Sequence, residues 1–418
     1  MATKLNRHWP TAKDYRTDRA VSAEDLHSHR HDLYQLRLHR TRKMMSVIGF
    51  PAMLITDPNN IFYMTGARNM QLFGLRSPSR YLLVLAEGPT VLFEFTGCEH
   101  LAADLPGIDV ILPAAGLNKL SSGDLAEEAG KELAKKIALL IHDHDASIDQ
   151  LAIDRFPFQT IDALRDAGFT VCDADDVLVP ARAIKQPMEI AYMMYAMRAV
   201  EHAVQRLEQK VVPSMTETEA WAEFHYTFMA KQGQYISTRL FQSGPNTYPY
   251  FQEAGSRRLA SGDLLCLDTD ALGYEGYAVD FSRTFLCGDD KATDDQRYLY
   301  QQAREQLDTN AALLAPGKEY REIAEKAWKV PEQHQKSRYY CVGHGLGMAG
   351  EFPNIPHFSS SDPYPLQGHL VPGMVICIES YIGTEQSAQG VKLEDQFLVT
   401  EDSVVRMSEY HFDDRLGE

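Results

Sequence analysis

Three aspartates within thirteen residues, set against apolar runs, constrain this chain more than any other feature. Leu264-Leu265-Cys266-Leu267 has the composition of a buried strand and leads directly into Asp268, Thr269 and Asp270. An acid at the end of a buried strand loses hydration and requires a partner. Strand period 2 predicts that Asp268 and Asp270 project from one face. Asp280 returns on a partner strand after a turn at Gly273 and Gly276. Three converging anions repel unless a cation lies between them, so the spacing predicts a metal.

The C-terminal half supplies matching donors. Val342-Gly343-His344-Gly345-Leu346-Gly347 sets an imidazole among glycines, where backbone can approach an ion or a substrate closely. Val375-Ile376-Cys377-Ile378-Glu379 is another apolar strand ending in a carboxylate, and Val391 to Val399 is a third, with Glu394 near its centre. Oxygen donors with one imidazole suit Fe, Mn, Co or Zn better than Mg or Ca. The cluster reads as a site for two divalent ions, with Asp280 and Glu394 best suited to bridge them.

The order Asp, Asp, His, Glu, Glu resembles the metal site of the pita-bread fold shared by methionine aminopeptidase, prolidase, aminopeptidase P and creatinase. Gly276-Tyr277-Ala278-Val279-Asp280-Phe281-Ser282-Arg283-Thr284-Phe285 matches that family's run around the second Asp. The usual first Asp stands eleven residues upstream, whereas Asp268 lies twelve before Asp280 and Asp270 ten before. This Asp-x-Asp variant is similar to the DddP-type dimethylsulfoniopropionate (DMSP) lyases. So are the segments Asp57 to Tyr63, Asn69 to Leu72, Ser243 to Asn246, Pro249 to Glu253, Lys392 to Gln396 and Phe412 to Leu416.

The resemblance implies an α/β (α+β) chain, with a creatinase-like N-terminal domain over 1–186 and a pita-bread catalytic domain over 187–418. It implies Asp268, Asp270, Asp280, His344, Glu379 and Glu394 as metal ligands, with iron as the metal. Tyr339 matches an aromatic residue that the family uses to hold substrate, and Tyr250 and Phe251 lie in an aromatic stretch similar to that of the lyases. An aromatic wall can hold a sulfonium without an ion pair. The implied reaction is cleavage of DMSP to dimethyl sulfide and acrylate. The family also implies a homodimer.

Two positions depart from the pattern. The lyases carry a basic Asp after the metal-binding His, but alignment here puts Gly350 at that place. Glycine cannot move a proton. Glu351, His357 or a water acidified by the metal remain as proton acceptors. The substrate-site His of the proline peptidases is also missing, since Tyr248-Pro249-Tyr250-Phe251 follows the Gly-Pro-Asn run. The competing readings are an Xaa-Pro-type metallodipeptidase or small-molecule amidohydrolase, and a metal-binding protein without turnover.

Charge and composition narrow the partners to a small molecule. The net charge of −17 disfavours nucleic acid and anionic membranes, which need a basic patch. No run approaches the length of a transmembrane helix, and the first ten residues lack the apolar core of a secretory signal. The six cysteines are scattered without a Cys-x-x-Cys pair, as expected of buried thiols in a reducing cytoplasm, and zinc held by thiolates is not expected. His27, His29 and His31 read as solvated residues at a helix start, and His142 and His144 as a polar loop. Further elements are a hairpin around Glu87-Gly88-Pro89, a helix over Leu125 to Ile141, and a long helix opened by Pro187. Helices follow over Thr216 to Gln232, Asp294 to Leu314 and Glu319 to Trp328.

Overall fold

The computed structural model describes residues 22–360 and 366–417. The chain divides into two compact units, at 182/183. In the first, a mixed sheet is formed by β1 (Ala52–Ile55), β2 (Tyr81–Leu85), β3 (Thr90–Glu94), β4 (Val110–Pro113), β5 (Gln150–Ile153) and β6 (Thr170–Asp173). Its order is β4-β3-β2-β1-β5-β6. The expected hairpin is the antiparallel pair β2–β3. The helix Ala126–His144 buries Leu133, Ile137 and Ile141 against the sheet core, a spacing that repeats the helical period. His142 and His144 belong to its last turn rather than to a loop.

The second unit begins with a helix over Pro187–Lys210. Pro187 occupies its first turn, where a missing N–H costs nothing, and the Glu189 carboxylate accepts from the Gln186 N–H at 2.8 Å. Helices over Glu217–Ala230 and Asp294–Ala311 each start at a threonine cap with a reciprocal partner three residues on. The last expected helix is shorter than its periodicity suggests, covering Tyr320–Lys326.

Two sheets follow. The small one contains β7 (Tyr235–Ile236), β10 (Ala271–Leu272) and β11 (Ala278–Val279). The large one contains β8 (Phe241–Ser243), β9 (Leu264–Asp268), β12 (Ser282–Leu286), β13 (Cys341–Leu346), β14 (Gly350–Pro356), β15 (Val375–Thr384), β16 (Gln389–Val399) and β17 (Val404–Arg406). Its path is β14-β13-β15-β16-β12-β9-β8, with β17 beside β16. Leu264, Leu286, Ile376, Ile378, Leu393 and Phe397 join Leu299, Ala303 and Leu307 of the Asp294–Ala311 helix in one apolar core.

The acidic run is not one continuous hairpin. β9 pairs with β12 and β10 pairs with β11, while Thr269–Asp270 and Asp280–Phe281 lie between the two ladders. Asp270 has a φ of +37°, which breaks the strand after Asp268 and carries the chain into the small sheet. The common face expected from strand period therefore does not extend from Asp268 to Asp270.

Arg283, fully buried on β12, clamps the back of the large sheet. It donates to the carbonyls of Glu394, Tyr410 and His411 and pairs with Asp395 at 2.8 Å. Removing one member of such a buried pair strands the other's charge. Asp395→Ala is expected to cost about 3–5 kcal/mol in urea unfolding; a loss within about 0.5 kcal/mol, usual for surface changes, would show that the clamp carries no stability.

Candidate metal centre

Sheet register brings the acids together. Asp268 pairs with Ser282, Ser282 with Glu394, and Glu394 with Glu379, so one row crosses four neighbouring strands. Residues directly opposite share a face, and the row therefore points three carboxylates to one side. Ser282 Oγ stands between Asp268 Oδ1 at 2.8 Å and Glu394 Oε2 at 2.9 Å. In the next row His344 pairs with Cys377 and Cys377 with Gln396. His344 Nδ1 donates to the Gly345 carbonyl, which turns Nε2 toward Glu379 Oε1 (3.1 Å), Asp280 Oδ2 (3.6 Å) and Glu394 Oε1 (4.0 Å). Such a backbone acceptor fixes the tautomer of a metal-binding histidine.

Five of the six expected ligands are thus joined in one group. Asp270 stands at its edge, accepting from Thr238 Oγ1 at 2.8 Å.

Sequence reasoning missed two members. Lys392 is fully buried, and its Nζ lies 2.7 Å from Glu379 Oε2, 2.8 Å from Glu394 Oε2, 3.4 Å from Asp268 Oδ2 and 2.7 Å from Ser282 Oγ. Cys377 Sγ joins Asp280, His344 and Glu394 in a buried group whose donor atoms all lie within 4.8 Å of one another. Strand period held both signals: Lys392 is two residues from Glu394, and Cys377 two from Glu379.

The electrostatics follow from burial among like charges. Asp280 is held well above the usual carboxylate range by burial and then by Glu394. Glu394 is pushed up to about 8 by burial and then by Glu379. Asp270 rises to about 6 through burial and then Asp268. Asp268 goes the other way: burial raises it, but the Lys392 charge and the Tyr250 and Ser282 hydroxyls outweigh burial and lower it. Burial also lowers His344, yet the hydrogen bond and charge of Glu379, with Glu394, carry it up to about 9.

These groups fit a divalent ion. Glu394 Oε1 is buried and has no hydrogen-bond partner among the described residues, a costly state that an ion relieves. His344 Nε2 lies 4.0 Å from that oxygen and 3.6 Å from Asp280 Oδ2. The Asp268, Glu379 and Glu394 oxygens on the other side already receive the Lys392 ammonium.

The expected substrate residues form a wall beside the cluster. Tyr250, Phe251 and Tyr339 have ring centroids 4.5–5.6 Å apart, and Tyr340 lies 4.8 Å from Tyr339. The Tyr250 hydroxyl donates to Asp268. Lys392 Nζ sits 4.8 Å from the Tyr339 centroid and 5.6 Å from that of Tyr250, so one side of the wall already faces a cation. Phe251 and Tyr340 remain more than half exposed.

Neither expected proton acceptor reaches the cluster. Glu351 pairs with Lys185 at 3.0 Å, both side chains nearly fully buried, and accepts from the Met348 N–H. That ion pair holds the carboxylate away from His344. His357 donates to the Tyr339 carbonyl at 3.1 Å and lines a cavity with Arg321, Ala324 and Phe358, none of them in the cluster. Burial, then Arg338, lowers it to about 4, so the ring is neutral at neutral pH. A Cβ built on Gly350 would meet only His344 Nδ1, at 3.9 Å. The position has room for a side chain beside the Nδ1 edge of the imidazole.

Creatinase- and prolidase-type metalloenzymes share this architecture. A prolidase from Pyrococcus horikoshii superposes with a TM-score of 0.71 over 90% of this chain and 99% of its own, at 22% identity. A Thermococcus sibiricus prolidase gives 0.72 over 91% and 98%, at 21% identity. Residues 191–401 match the model of metallopeptidase family M24, and residues 37–184 that of the creatinase/prolidase N-terminal domain. The chain belongs to family M24, in the branch of the DddP-type DMSP lyases. It is 33% identical over 393 residues to the dimethylsulfoniopropionate lyase DddP of Roseovarius nubinhibens, covering 92% of this chain and 88% of that one. A probable dipeptidase PepE of Mycobacterium tuberculosis is 26% identical, over 72% and 82%. No helix of the described residues is long and apolar enough to cross a membrane.

Protonation gives the metal-free site a pH signature. Asp280, Glu394 and His344 all bind protons more tightly folded than at their ordinary values of 3.8, 4.5 and 6.5. Their contribution to stability is full below those values and is lost as pH rises through the raised ones. The melting temperature of chelated protein is expected to fall between about pH 5 and pH 9, and added divalent metal to flatten the fall. A midpoint that rises across that interval contradicts the assignment. Lys392→Met is expected to destabilise chelated protein by about 3–5 kcal/mol in urea, because it strands buried carboxylates; an unchanged midpoint would show that the ammonium does not hold them.

Proposed function

We propose that the chain is a metal-dependent enzyme for a small zwitterion that carries a carboxylate and a cationic group. Cleavage of DMSP to dimethyl sulfide and acrylate is the favoured reaction. The observation that carries this reading is the aromatic wall of Tyr250, Phe251, Tyr339 and Tyr340 set directly against a buried group of metal donors. Two charges of opposite sign on one small molecule find complementary surfaces there. The 33% identity to DMSP lyases supports the same substrate class.

Asp280, His344 and Glu394 would hold a divalent ion, with Fe, Mn, Co and Zn compatible with their donors. A second ion would belong with Asp268 and Asp270, on the side that Lys392 shares. When bound, such an ion supplies Lewis acidity toward a carboxylate and lowers the pKa of a water. The residues of the chain do the rest. Phe251 and Tyr340 offer exposed ring faces to the cationic group, because Lys392 already stands near Tyr339 and Tyr250. Lys392 and Ser282 orient Asp268, Glu379 and Glu394.

Elimination also requires a group that accepts the α-proton. Gly350 offers none, and Glu351 and His357 are engaged elsewhere, so the proton would pass to a water whose pKa a bound ion lowers. That observation favours a second reading, hydrolysis of an Xaa-Pro-type dipeptide or a small amide, which needs an activated water and no carbon acid. Headspace detection of dimethyl sulfide, run beside a dipeptide and amide panel on metal-analysed protein, separates the two. The lyase reading expects dimethyl sulfide from DMSP, lost by at least about 100-fold in Asp280→Ala. Dipeptide turnover without dimethyl sulfide would replace it with the hydrolase. Gly350→Asp is expected to raise dimethyl sulfide release by about 10²-fold or more, the usual worth of a positioned base.

A further inference from the structure

The row of acids is attached, from behind the sheet, to the C-terminal end of the chain. Three bonds of the buried Arg283 guanidinium run to the strands of that row. Nη1 donates to the carbonyls of Ser282 and Glu394, each at 2.9 Å, and Nη2 to Asp395 Oδ1 at 2.8 Å. Two more run to the tail: Nη2 to the Tyr410 carbonyl at 3.0 Å and Nε to that of His411 at 3.1 Å. A guanidinium has five N–H donors, so tail and row together use them all. The Phe412 ring closes the arrangement. Its centroid lies 4.2 Å from the guanidinium carbon of Arg283, 3.6 Å from that of Arg304 and 5.0 Å from that of Arg406. Arg283 and Arg406 share the buried Asp395 carboxylate, at 2.8 and 3.0 Å. One buried anion thus faces two cations, and the ring adds the attraction that the anion alone does not supply. The tail is itself tied down. Glu201, on the Pro187–Lys210 helix, accepts from Ser408 Oγ and from the N–H groups of Glu409 and Tyr410, and Glu208 accepts from the Tyr410 hydroxyl.

We propose that Tyr410, His411 and Phe412 form a positioning element for the metal centre, acting through Arg283 on the backbone of Ser282 and Glu394. The inference rests on the reading of the cluster as a metal centre and is independent of the reaction carried out there. Arg283 and Asp395 alternate with Ser282 and Glu394 along their strands, so the clamp works from the face opposite the carboxylates. Its reach extends to Asp280 as well, because the ring of the adjacent Phe281 lies 4.9 Å from the same guanidinium. A guanidinium is planar and rigid, so a shift at the tail is passed to the carbonyls on its other edge. Without the Phe412 ring, the Arg283, Arg304 and Arg406 cations face one another directly. Their repulsion turns Arg283 away from the carbonyls that it holds. Zinc takes oxygen and nitrogen donors at about 2.0–2.2 Å, and a carboxylate whose backbone drifts meets that distance less often.

Zinc affinity separates positioning from folding. Full-length protein is stripped with a chelator, and Zn(II) binding is measured without substrate by competition with a chromophoric chelator. Urea unfolding of the stripped protein is followed beside it. Phe412→Leu, which keeps apolar volume and loses the ring, should weaken zinc binding by about 10–100-fold. Phe412→Tyr, which keeps the ring, should bind zinc as the wild type does. Arg415→Ala removes bonds from the same tail to the carbonyls of Leu286 and Gly288. It should leave zinc binding unchanged, whatever it does to the urea midpoint. Unchanged affinity in Phe412→Leu, or an equal loss in Arg415→Ala, overturns the positioning role and leaves the metal centre standing. Wild-type protein gives a second test, since coupling between tail and metal is reciprocal. Bound zinc should slow hydrogen exchange at the Glu409 and Tyr410 amides more than along the Glu217–Ala230 helix. Equal slowing, or none, overturns the coupling even if Phe412→Leu folds poorly. A chain that binds neither zinc, cobalt nor manganese overturns the metal reading and the positioning role together.

Discussion

The Lys392 ammonium holds the centre of this structure together. Asp268, Glu379 and Glu394 lie in one row across a single sheet, with Ser282 between Asp268 and Glu394, and their register fixes them too close to remain charged without a cation. Lys392 supplies one from within the chain, on the same strand as Glu394 and facing the same way. It draws Asp268 below the usual carboxylate range, while Asp280 and Glu394 remain above it. The cluster is thus divided into a corner closed by an internal cation and a corner that still needs one. Arg283 braces the back of the same strands through Asp395 and the carbonyl of Glu394.

That division bears on chemistry. The open corner carries the imidazole Nε2, the unpartnered Glu394 oxygen and the thiol of Cys377. The closed corner presents Lys392 to the rings of Tyr339 and Tyr250, which moves the place for a cationic substrate group outward to Phe251 and Tyr340. Gly350 leaves free space against Nδ1 of His344. The chain keeps the setting for a carboxylate-bearing cation while lacking a side chain that would take a proton from it.

Much of this was legible in the sequence because strands ending in acids are chemically improbable without a partner. The order from Asp268 to Glu394 was enough to anticipate a metal, and Pro187 was enough to place the start of the long helix. What escaped had physical causes. The positive φ of Asp270 depends on Thr238 and the small sheet, which local strand period does not see. Glu351 looked free because its partner, Lys185, lies 166 residues away in sequence. Cys377 reads as a buried thiol of an apolar strand, and Lys392 carries no signal of its own, since a lysine near a glutamate usually reaches solvent. Only the register of β13, β15 and β16 turns both into the site.

Anomalous diffraction from crystals of the full-length chain grown with Zn or Co tests the central claim most directly. The account predicts a strong peak bounded by Asp280, His344 Nε2 and Glu394 Oε1, with the Lys392 ammonium still hydrogen-bonded to Glu379. A cluster without a peak, its carboxylates satisfied by Lys392 and water alone, would contradict it.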